Sequence, residues 1–174
     1  MVIRLATLFD VPAIMALMRQ VIPLMRAEGN LQWDDEYPNS EIFTADIALK
    51  QLWVAEMDEA GDPGLIGGVA AITTDQAPEY ADVGWDINEP AIVIHRLAVD
   101  PDFRGFGIAT ALMEEAEALA QEAGISVLRV DTSKQNPATQ KLFPKLGYTF
   151  AGETGLSYRP GLRILCYEKR LPSL

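Results

Sequence analysis

The sequence predicts an α+β domain in which a mixed β-sheet of six to seven strands is flanked by about four helices. Two observations support this fold class. Short segments rich in branched and apolar residues alternate with segments whose apolar residues recur at helical spacing. A nearly unbroken apolar run at residues 91–99 has the length and composition of a buried central strand. The intervening loops are too short to be interdomain linkers, so residues 1–174 are expected to form a single domain.

The first half of the chain is expected to supply three strands and two helices. Asp10 is interpreted as the N-cap of the first helix, with Pro12 in its first turn. The segment EAGDPG at residues 59–64 has the composition of a hairpin turn. Strands are predicted at residues 2–6, 52–57 and 65–74, the first helix carries apolar residues at Ile14, Leu17, Met18, Val21 and Met25, and the second helix covers residues 41–51.

The second half begins with an acidic segment, residues 75–90, that is predicted to be a loop. A central strand follows at residues 91–99, and a helix then runs to about Ala123, where Gly124 ends it. Further along the chain, strands are predicted at residues 126–132, 148–152 and 163–171, and a helix at residues 137–146.

The charge balance limits the classes of partner. The chain has 25 acidic and 14 basic residues and a net charge of −11. Such a protein is not expected to bind nucleic acid or an anionic membrane as its main partner. Its one cysteine, Cys166, cannot form an internal disulfide. Because no second soft ligand lies near Cys166 in the sequence, no structural zinc site is expected. The sequence does not begin with a basic, apolar leader, so a reducing, cytoplasmic location is expected.

The junction between strand 91–99 and the next helix is the most informative part of the sequence. Unpaired amides and the helix dipole attract an anion to a helix start, and glycine lets the anion approach the main chain. A phosphate cradle is therefore predicted here. The spacing matches neither the GxxxxGK[ST] of mononucleotide P-loops nor the GxGxxG of dinucleotide-binding folds. The junction consists of Arg104, Gly105, Phe106, Gly107, Ile108 and Ala109.

This junction does match the signature R/Q-x-x-G-x-G/A, and the chain here resembles the GNAT superfamily of acyl-CoA N-acyltransferases. Four further segments look like that family in order and spacing: RLAVDP before the signature, the amphipathic helix after it, LRVDT on the next strand, and NPATQKLFPKLGY as the following helix and turn. The resemblance covers roughly residues 3–171. It implies the GNAT fold, in which two central strands splay apart, and an activity that transfers acetyl from acetyl-CoA to an amine without a metal.

The resemblance also implies where acetyl-CoA, the co-substrate, would lie. Its pantetheine arm would pair with the main chain of Leu97, Ala98 and Val99, where the central strands separate. Asn136 matches a family position that contacts the pantetheine or adenosine end, although an asparagine before a proline can also simply cap a helix. The pyrophosphate would rest on the backbone amides of Arg104, Gly105, Phe106, Gly107, Ile108, Ala109 and Thr110.

The reaction requires a base, because a protonated amine has no lone pair with which to attack. His95 matches the strand position of the base histidine in arylalkylamine-type members, and a histidine exchanges protons near neutral pH. The alternative is a histidine that only packs or hydrogen-bonds across the sheet. Glu89 and Asp86 are rival bases. A backbone amide of Ala98 or Leu97 would stabilise the oxyanion.

The general acid is left open by one departure from the family pattern. Phe143 stands where many members carry the tyrosine that protonates the departing thiolate. A phenyl ring cannot donate that proton, but Phe143 could still pack on the pantetheine arm. A thiol with a pKa of about 8.5 leaves tolerably as its anion, so activity does not require this tyrosine. Tyr148, Tyr158, Tyr37 or a water could substitute.

Two aromatic, acidic segments, residues 31–40 and 76–90, are expected to form the acceptor cleft. Aromatic faces among carboxylates suit a cation, so the hypothesis is a cationic primary amine on a small molecule or a peptide. The alternative is that Trp33 and Tyr37 only attach the first two helices to the core. The aromatic residues are Trp33, Tyr37, Tyr80 and Trp85, and their acidic neighbours are Asp34, Asp35, Glu36 and Asp86.

These inferences lead to one functional hypothesis and one alternative. The hypothesis is an acetyl-CoA-dependent N-acetyltransferase in which the amine attacks directly within a ternary complex. The alternative is a non-catalytic acyl-CoA-binding module of the same fold, suggested by Phe143 and by the open choice of base. Many members of the superfamily are dimers, so the resemblance also allows a homodimer.

Overall fold

The computed structural model describes residues 1–58, 62 and 64–173. In this part of the chain the strands are β1 (Val2–Leu5), β2 (Leu52–Glu56), β3 (Ile66–Thr73), β4 (Ile92–Val99), β5 (Val127–Ser133), β6 (Thr149–Leu156) and β7 (Arg159–Arg170). The helices are α1 (Val11–Ala27), α2 (Ser40–Ala48), α3 (Ile108–Ala123) and α4 (Pro137–Lys145). Short 3-10 helices occupy Leu8–Asp10, Pro78–Val83 and Pro101–Phe103.

The seven strands form one mixed sheet in the order β1-β2-β3-β4-β5-β7-β6. Neighbouring strands run antiparallel except β4 and β5, which are parallel. A parallel pair needs a long crossover connection, and α3 provides it between β4 and β5. The predicted fold class is confirmed, and its parallel pair lies at the centre of the sheet.

The two central strands separate soon after they pair. Their register includes three residue pairs, of which Ile94 with Val130 is the last. Beyond this pair β4 continues along β3, whereas β5 continues along β7. The resulting gap is the predicted splay of the central strands.

A β-bulge lies in β4 at the start of this gap. Between His95 and Ala98, which both pair with β3, β4 has two residues where β3 has one. One of the two, Arg96, has a left-handed backbone conformation with φ of +53°. Because a bulge bends its strand and increases the local twist, β4 turns where its pairing with β5 ends.

Helices cover both faces of the sheet through apolar residues at helical spacing. α3 and α4 pack on one face, and α1 packs on the other. The start of α3 lies very close to β3, because a Cβ at Gly68 would overlap Cγ2 of Ile108. The glycine therefore allows α3 to begin directly beside the splay.

One helical segment of the described chain, Leu8–Ala27, is long and apolar enough to cross a membrane by length and composition. A core helix can satisfy the same criterion. Here Ile14, Leu17, Met18 and Ile22 are buried in the core cluster that includes β2 and β3. The segment is therefore weak support for a membrane span.

Asp10 occupies the N-cap position of α1, as predicted, but its side chain makes no capping hydrogen bond to that helix. Its carboxylate is bound by the Arg4 guanidinium at 2.8 and 2.9 Å and accepts the amide hydrogen of Thr7 at 2.7 Å. Asp10 thus closes the 3-10 turn that precedes α1, because that turn and Arg4 offer it donors before the α-helix begins.

The predicted loops also need adjustment. β6 and β7 form a longer hairpin than expected, since β6 extends to Leu156 and β7 starts at Arg159. The sequence between residues 153 and 162 is polar and glycine-containing, so it lacks the apolar alternation of a strand.

The 3-10 helix Pro78–Val83 interrupts the loop at residues 75–90. β2 and β3 pair antiparallel as predicted, but residues 59–61 and 63 of the EAGDPG turn lie outside the described residues.

Candidate active site

A cavity of about 770 Å³ opens where β4 and β5 separate. On one side it is lined by the glycine turn and by the first residues of α3 and α4. On the other side it is lined by α1, by residues of the 28–37 segment and by the hairpin of β6 and β7. Residues 94–99 of β4 and 130–132 of β5 lie between these walls. The cavity therefore runs through the sheet from one face to the other.

The glycine turn forms the α3 end of this cavity. Gly105 and Gly107 have φ of +87° and +78°, and a Cβ on either would meet no atom within 4 Å. The first intrahelical hydrogen bond joins the Ala111 amide to the Gly107 carbonyl at 2.9 Å. The amides of residues 108–110 consequently have no acceptor within the helix. Free amides and the positive end of the α3 dipole are an arrangement that favours an anion.

The two side chains of this turn lie differently. Arg104 lines the cavity and is exposed, so its guanidinium is available to an anion there. Phe106 does not line the cavity and is 62% exposed. Its ring packs edge-to-face on Phe103 at a centroid distance of 5.7 Å. Only the backbone of Phe106 therefore contributes to the turn.

Asn136 and Phe143 both line the cavity from α4. The Asn136 side-chain oxygen accepts the Thr139 amide hydrogen at 3.3 Å, so the residue caps α4 as its sequence context suggests. This cap uses only the side-chain oxygen. Phe143 is 1% exposed and packs on Tyr167, with ring centroids 5.4 Å apart. It forms an apolar wall and provides no proton donor.

Leu97, Ala98 and Val99 line the middle of the cavity. In the described chain, the side of β4 that faces β5 has no strand partner beyond Ile94. Backbone amides and carbonyls on that side are therefore available to a ligand that carries amide groups. This is the position that the resemblance implies for a pantetheine arm.

His95 lies on β4 directly after the last residue paired with β5. Its Nε2 is 3.2 Å from the carbonyl oxygen of Asp75. A carbonyl can only accept a hydrogen bond, so Nε2 carries the hydrogen in this contact. The neutral ring then has its lone pair on Nδ1, and Asp75 helps to orient the base that the sequence proposes.

Asp131 lies on β5 directly after Val130 and lines the same cavity, but the sequence did not indicate it as a site residue. The Tyr80 hydroxyl donates a hydrogen bond to its Oδ2. Burial raises the pKa of Asp131, and the positive charge of His95 and the Tyr80 hydrogen bond act in the opposite direction. The gap between the central strands therefore contains a carboxylate as well as an imidazole.

The sequence did not indicate a role for Arg129 either. In the structure, Arg129 holds the acidic loop of residues 75–90 against the sheet. Its side chain is fully buried and donates to Glu168 at 3.0 Å, to Glu89 at 3.1 Å and to the Asp86 carbonyl at 3.0 Å. Its guanidinium also lies 4.8 Å from the ring centroid of Trp85. Glu89 is thus engaged by arginine, and neither Glu89 nor Asp86 lines the cavity, although both were rival bases.

The face opposite α3 is closed by contacts between the 28–37 segment and the β6–β7 hairpin. Arg159 donates to Asp34 at 2.7 Å, and its guanidinium lies 5.5 Å from the ring centroid of Tyr37. Tyr37, Tyr158 and Arg159 line this part of the cavity, and so does Trp33, which is otherwise buried in the core beneath α1.

The structure brings together most, but not all, of the residues proposed from the sequence. Among the proposed acceptor residues, Tyr80 and Trp85 do not line the cavity, because they pack on each other and on β5 through Asp131 and Arg129. Tyr148 does not line it either. The proposed residues that line the cavity are Trp33, Tyr37, His95, Leu97, Ala98, Val99, Arg104, Gly105, Gly107, Ile108, Ala109, Thr110, Asn136, Phe143 and Tyr158.

Comparison with known proteins identifies the family. The sequence profile of the Acetyltransferase (GNAT) family matches residues 18–148. This match covers both the start of α3 and the splayed strands. The chain therefore belongs to the GNAT acetyltransferase family.

Individual relatives agree with this assignment. The chain is 24% identical over 151 residues to the uncharacterized N-acetyltransferase YesJ of Bacillus subtilis, a match that covers 86% of this chain and 82% of YesJ. Human N-acetyltransferase 8B is 29% identical over 102 residues, which span 59% of this chain and 40% of the human protein.

Solved structures show the same fold. A GNAT-family acetyltransferase from Streptococcus agalactiae superposes with a TM-score of 0.81 at 27% identity, covering 99% of this chain and 96% of its own. The Salmonella typhimurium acetyltransferase yncA, solved with its cofactor acetyl-CoA, gives a TM-score of 0.69 at 19% identity, covering 100% of this chain and 95% of its own.

Proposed function

We propose that the protein transfers the acetyl group of acetyl-CoA to a primary amine by direct attack within a ternary complex. The observation that best supports this function is the cavity through the sheet, with an anion-binding helix start on one face and His95 in the central gap. Two ligands that enter from opposite faces would meet in that gap. Direct transfer requires this convergence of two substrates.

The residues at the α3 end fit acetyl-CoA. Gly105 and Gly107 leave the space at the turn free of side-chain atoms, which lets a pyrophosphate reach the open amides of α3. Arg104 adds a positive charge beside that position. The unpaired side of β4 and the Phe143 ring would hold the pantetheine arm. Acetyl-CoA supplies the acetyl group as a thioester, whose thiolate is the leaving group.

The side chains of the gap are assigned to proton transfer. His95 is proposed to take a proton from the amine, because its contact with Asp75 leaves Nδ1 unprotonated. A backbone amide of Ala98 or Leu97 would donate to the reacting carbonyl oxygen as negative charge develops there. For the thiolate, the phenolic hydroxyls that line the cavity are those of Tyr37 and Tyr158, and a water is the third choice.

The acceptor is proposed to be a cationic amine on a small molecule or a peptide. The sequence suggested a cation site among exposed acids such as Asp34, but Arg159 already binds that carboxylate. Glu28 and Asp131 are the carboxylates that line the cavity. Both can attract a positive charge, so the proposal of a cationic acceptor now rests on different residues.

Calorimetric titration of the purified protein with acetyl-CoA, with NAD as comparator, tests the cofactor site. Micromolar binding of acetyl-CoA but not of NAD is expected. Release of CoA thiol against a panel of amines then tests transfer. A protein that binds acetyl-CoA but releases no extra thiol when amines are added would be the non-catalytic acyl-CoA-binding module instead.

The role of His95 has its own test. His95→Ala should lower turnover and leave the affinity for acetyl-CoA unchanged, because the imidazole lies away from the glycine turn. General acid–base catalysis typically contributes about 100-fold or more to the rate. Full activity of this variant across pH 6 to 9 would show that His95 only supports the fold.

A further inference from the structure

We propose that Asp131 binds the ammonium group of the acceptor in the gap between β4 and β5 and accepts its first proton. The inference deepens the proposed function and rests on it. It defines the acceptor class as a primary amine that is protonated in solution. Within the site, Asp131 takes the first proton of the ammonium group, and His95 takes the second proton as the amine attacks.

The register of the central strands places Asp131 beside the reacting position. Ile94 and Val130 are the last paired residues of β4 and β5, so His95 and Asp131 are the first residues on either side of the gap. Side chains alternate between faces along a strand. Because Ile94 and Val130 both belong to the core cluster beneath α3, His95 and Asp131 both project toward the opposite face. That is the face from which the acceptor would enter.

One oxygen of the Asp131 carboxylate remains available to a ligand. Tyr80 donates to Oδ2, and no described residue donates to Oδ1. If Oδ1 were buried, it would be a buried side-chain polar atom without a hydrogen-bond partner. In the described chain, the hydroxyl of Tyr148 is the one such atom. Oδ1 is therefore accessible from the cavity that Asp131 lines.

Asp131 has no arginine or lysine partner in the described chain, unlike the buried carboxylates of Asp10 and Asp46. Asp10 is paired with Arg4 and Asp46 with Arg96, each at 2.7 to 2.8 Å. A carboxylate removed from water is costly unless a positive charge or strong hydrogen bonds compensate it. The ammonium group of an acceptor would supply the missing charge.

The other ionisable groups that face Asp131 do not supply the fixed positive charge that an arginine or lysine partner would. They are the phenols of Tyr80 and Tyr158, the Cys166 thiol on β7 and the imidazole of His95. The first three are neutral at pH 7, since burial raises the pKa of Cys166 and of Tyr158 to about 12 and that of Tyr80 as well. His95, the proposed base, is an uncharged imidazole before the reaction, so it supplies no fixed positive charge.

The proton step balances within these groups. An N–H bond of the ammonium breaks, the proton joins Oδ1 of Asp131, and the electron pair of that bond stays on nitrogen as the lone pair needed for attack. Burial raises the pKa of Asp131, which makes it a stronger base than a solvated aspartate. Transfer from the carboxyl to a water of the cavity, and from there to solvent, returns Asp131 to its starting state and leaves the His95 lone pair free for the second proton.

Steady-state kinetics on two acceptors test the assignment. Benzylamine is protonated at pH 7, whereas aniline is not. Asp131→Asn should lower kcat/KM for benzylamine by about 100-fold, with a raised KM, and should lower it much less for aniline. Asp82→Asn is the matched control, because Asp82 likewise accepts a hydroxyl hydrogen bond, from Thr154 at 2.7 Å, but does not line the cavity. It should leave both acceptors unaffected.

A binding measurement provides a readout independent of turnover. Calorimetric titration of benzylamine into the protein saturated with CoA should give affinity at least tenfold weaker for Asp131→Asn than for wild type or Asp82→Asn. Acetyl-CoA affinity should be equal in all three. Equal benzylamine affinity, or equal losses with benzylamine and aniline in a variant that still binds acetyl-CoA, would overturn the role of Asp131. A wild-type protein without acetyl transfer to any amine would instead overturn the proposed function.

Discussion

Arg96 and Asp46 are joined by two hydrogen bonds of 2.7 and 2.8 Å, which connect the bulge of β4 to α2. Arg96 is the bulged residue with a left-handed backbone, and both side chains are largely buried. The Tyr37 hydroxyl accepts a further hydrogen bond from Arg96 at 3.4 Å. The ion pair therefore holds the bulge in place at the point where β4 leaves β5.

Asp46→Asn should destabilise the protein by about 3 kcal/mol, because it leaves the Arg96 charge buried without its partner. Urea unfolding at pH 7 measures the loss. The control is Asp34→Asn, which breaks a pair whose carboxylate is 35% exposed and should cost less than about 1 kcal/mol. Equal costs for the two variants would mean that the Arg96 pair contributes nothing specific to the bulge.

Gly107→Trp should abolish acetyl-CoA binding and leave the fold intact. The indole would project into the space that the pyrophosphate needs, which is free of protein atoms within 4 Å of the added Cβ. Gly124→Trp is the matched control, because Gly124 lies at the other end of α3 with φ of +68° and equally open surroundings. Each variant pays about 1 kcal/mol for a left-handed side-chain residue. Calorimetry with acetyl-CoA should separate them, and comparable binding by both would place the cofactor elsewhere.

The glycine turn and the strand before it could be predicted because local sequence determines them. Gly105 and Gly107 form the predicted turn with positive φ, and the apolar run predicted as the central strand is β4, Ile92–Val99. The bulge at Arg96 could not be predicted in this way. It depends on the register between β3 and β4 and on an ion pair with a residue 50 positions away.

Asp131 and Arg129 show a second limit. Alternation along LRVDTS places both on the face opposite Leu128 and Val130, where a strand with one solvated face would carry polar residues. The structure instead covers that face with the loop of residues 75–90, which provides Tyr80 to one and Glu89 to the other. Sequence periodicity gives the face of a residue but not the loop that covers it.

Arg129→Met should reduce stability by about 1 to 3 kcal/mol, since it removes the buried donor of the Asp86 carbonyl and leaves Glu89 and Glu168 with only the more exposed Arg170. Arg170→Met is a close control, because Arg170 binds the same two carboxylates but its side chain is 55% exposed. The stability lost in Arg170→Met should stay below about 1 kcal/mol. Thermal or urea unfolding compares them, and similar losses would argue against Arg129 as the anchor of the loop.

Asp131 should make the wild-type protein less stable as the pH rises. Burial raises its pKa, so between about pH 4, the unfolded value, and the higher folded value the folded state binds more protons than the unfolded state. Wild-type stability therefore falls through this window. Asp131→Asn does not titrate and can still accept the Tyr80 hydrogen bond. Its unfolding free energy should exceed the wild-type value at pH 7, and the excess should shrink toward pH 4.

Asp10→Asn is the matched comparison, because it changes the net charge by the same amount as Asp131→Asn. Its effect on stability should depend on pH in the opposite sense. Arg4 lowers the pKa of Asp10, so this carboxylate stabilises the folded state above about pH 4 and loses that contribution as the pH falls through its lower folded value. The variant should thus be less stable than wild type at pH 7, with the deficit shrinking in acid. Urea unfolding from pH 3 to pH 8 measures both differences. A pH-independent difference for Asp131→Asn would mean that this carboxylate is as well solvated when folded as when unfolded. A stabilised variant that has lost amine binding would show that the site keeps this carboxylate at a cost in stability.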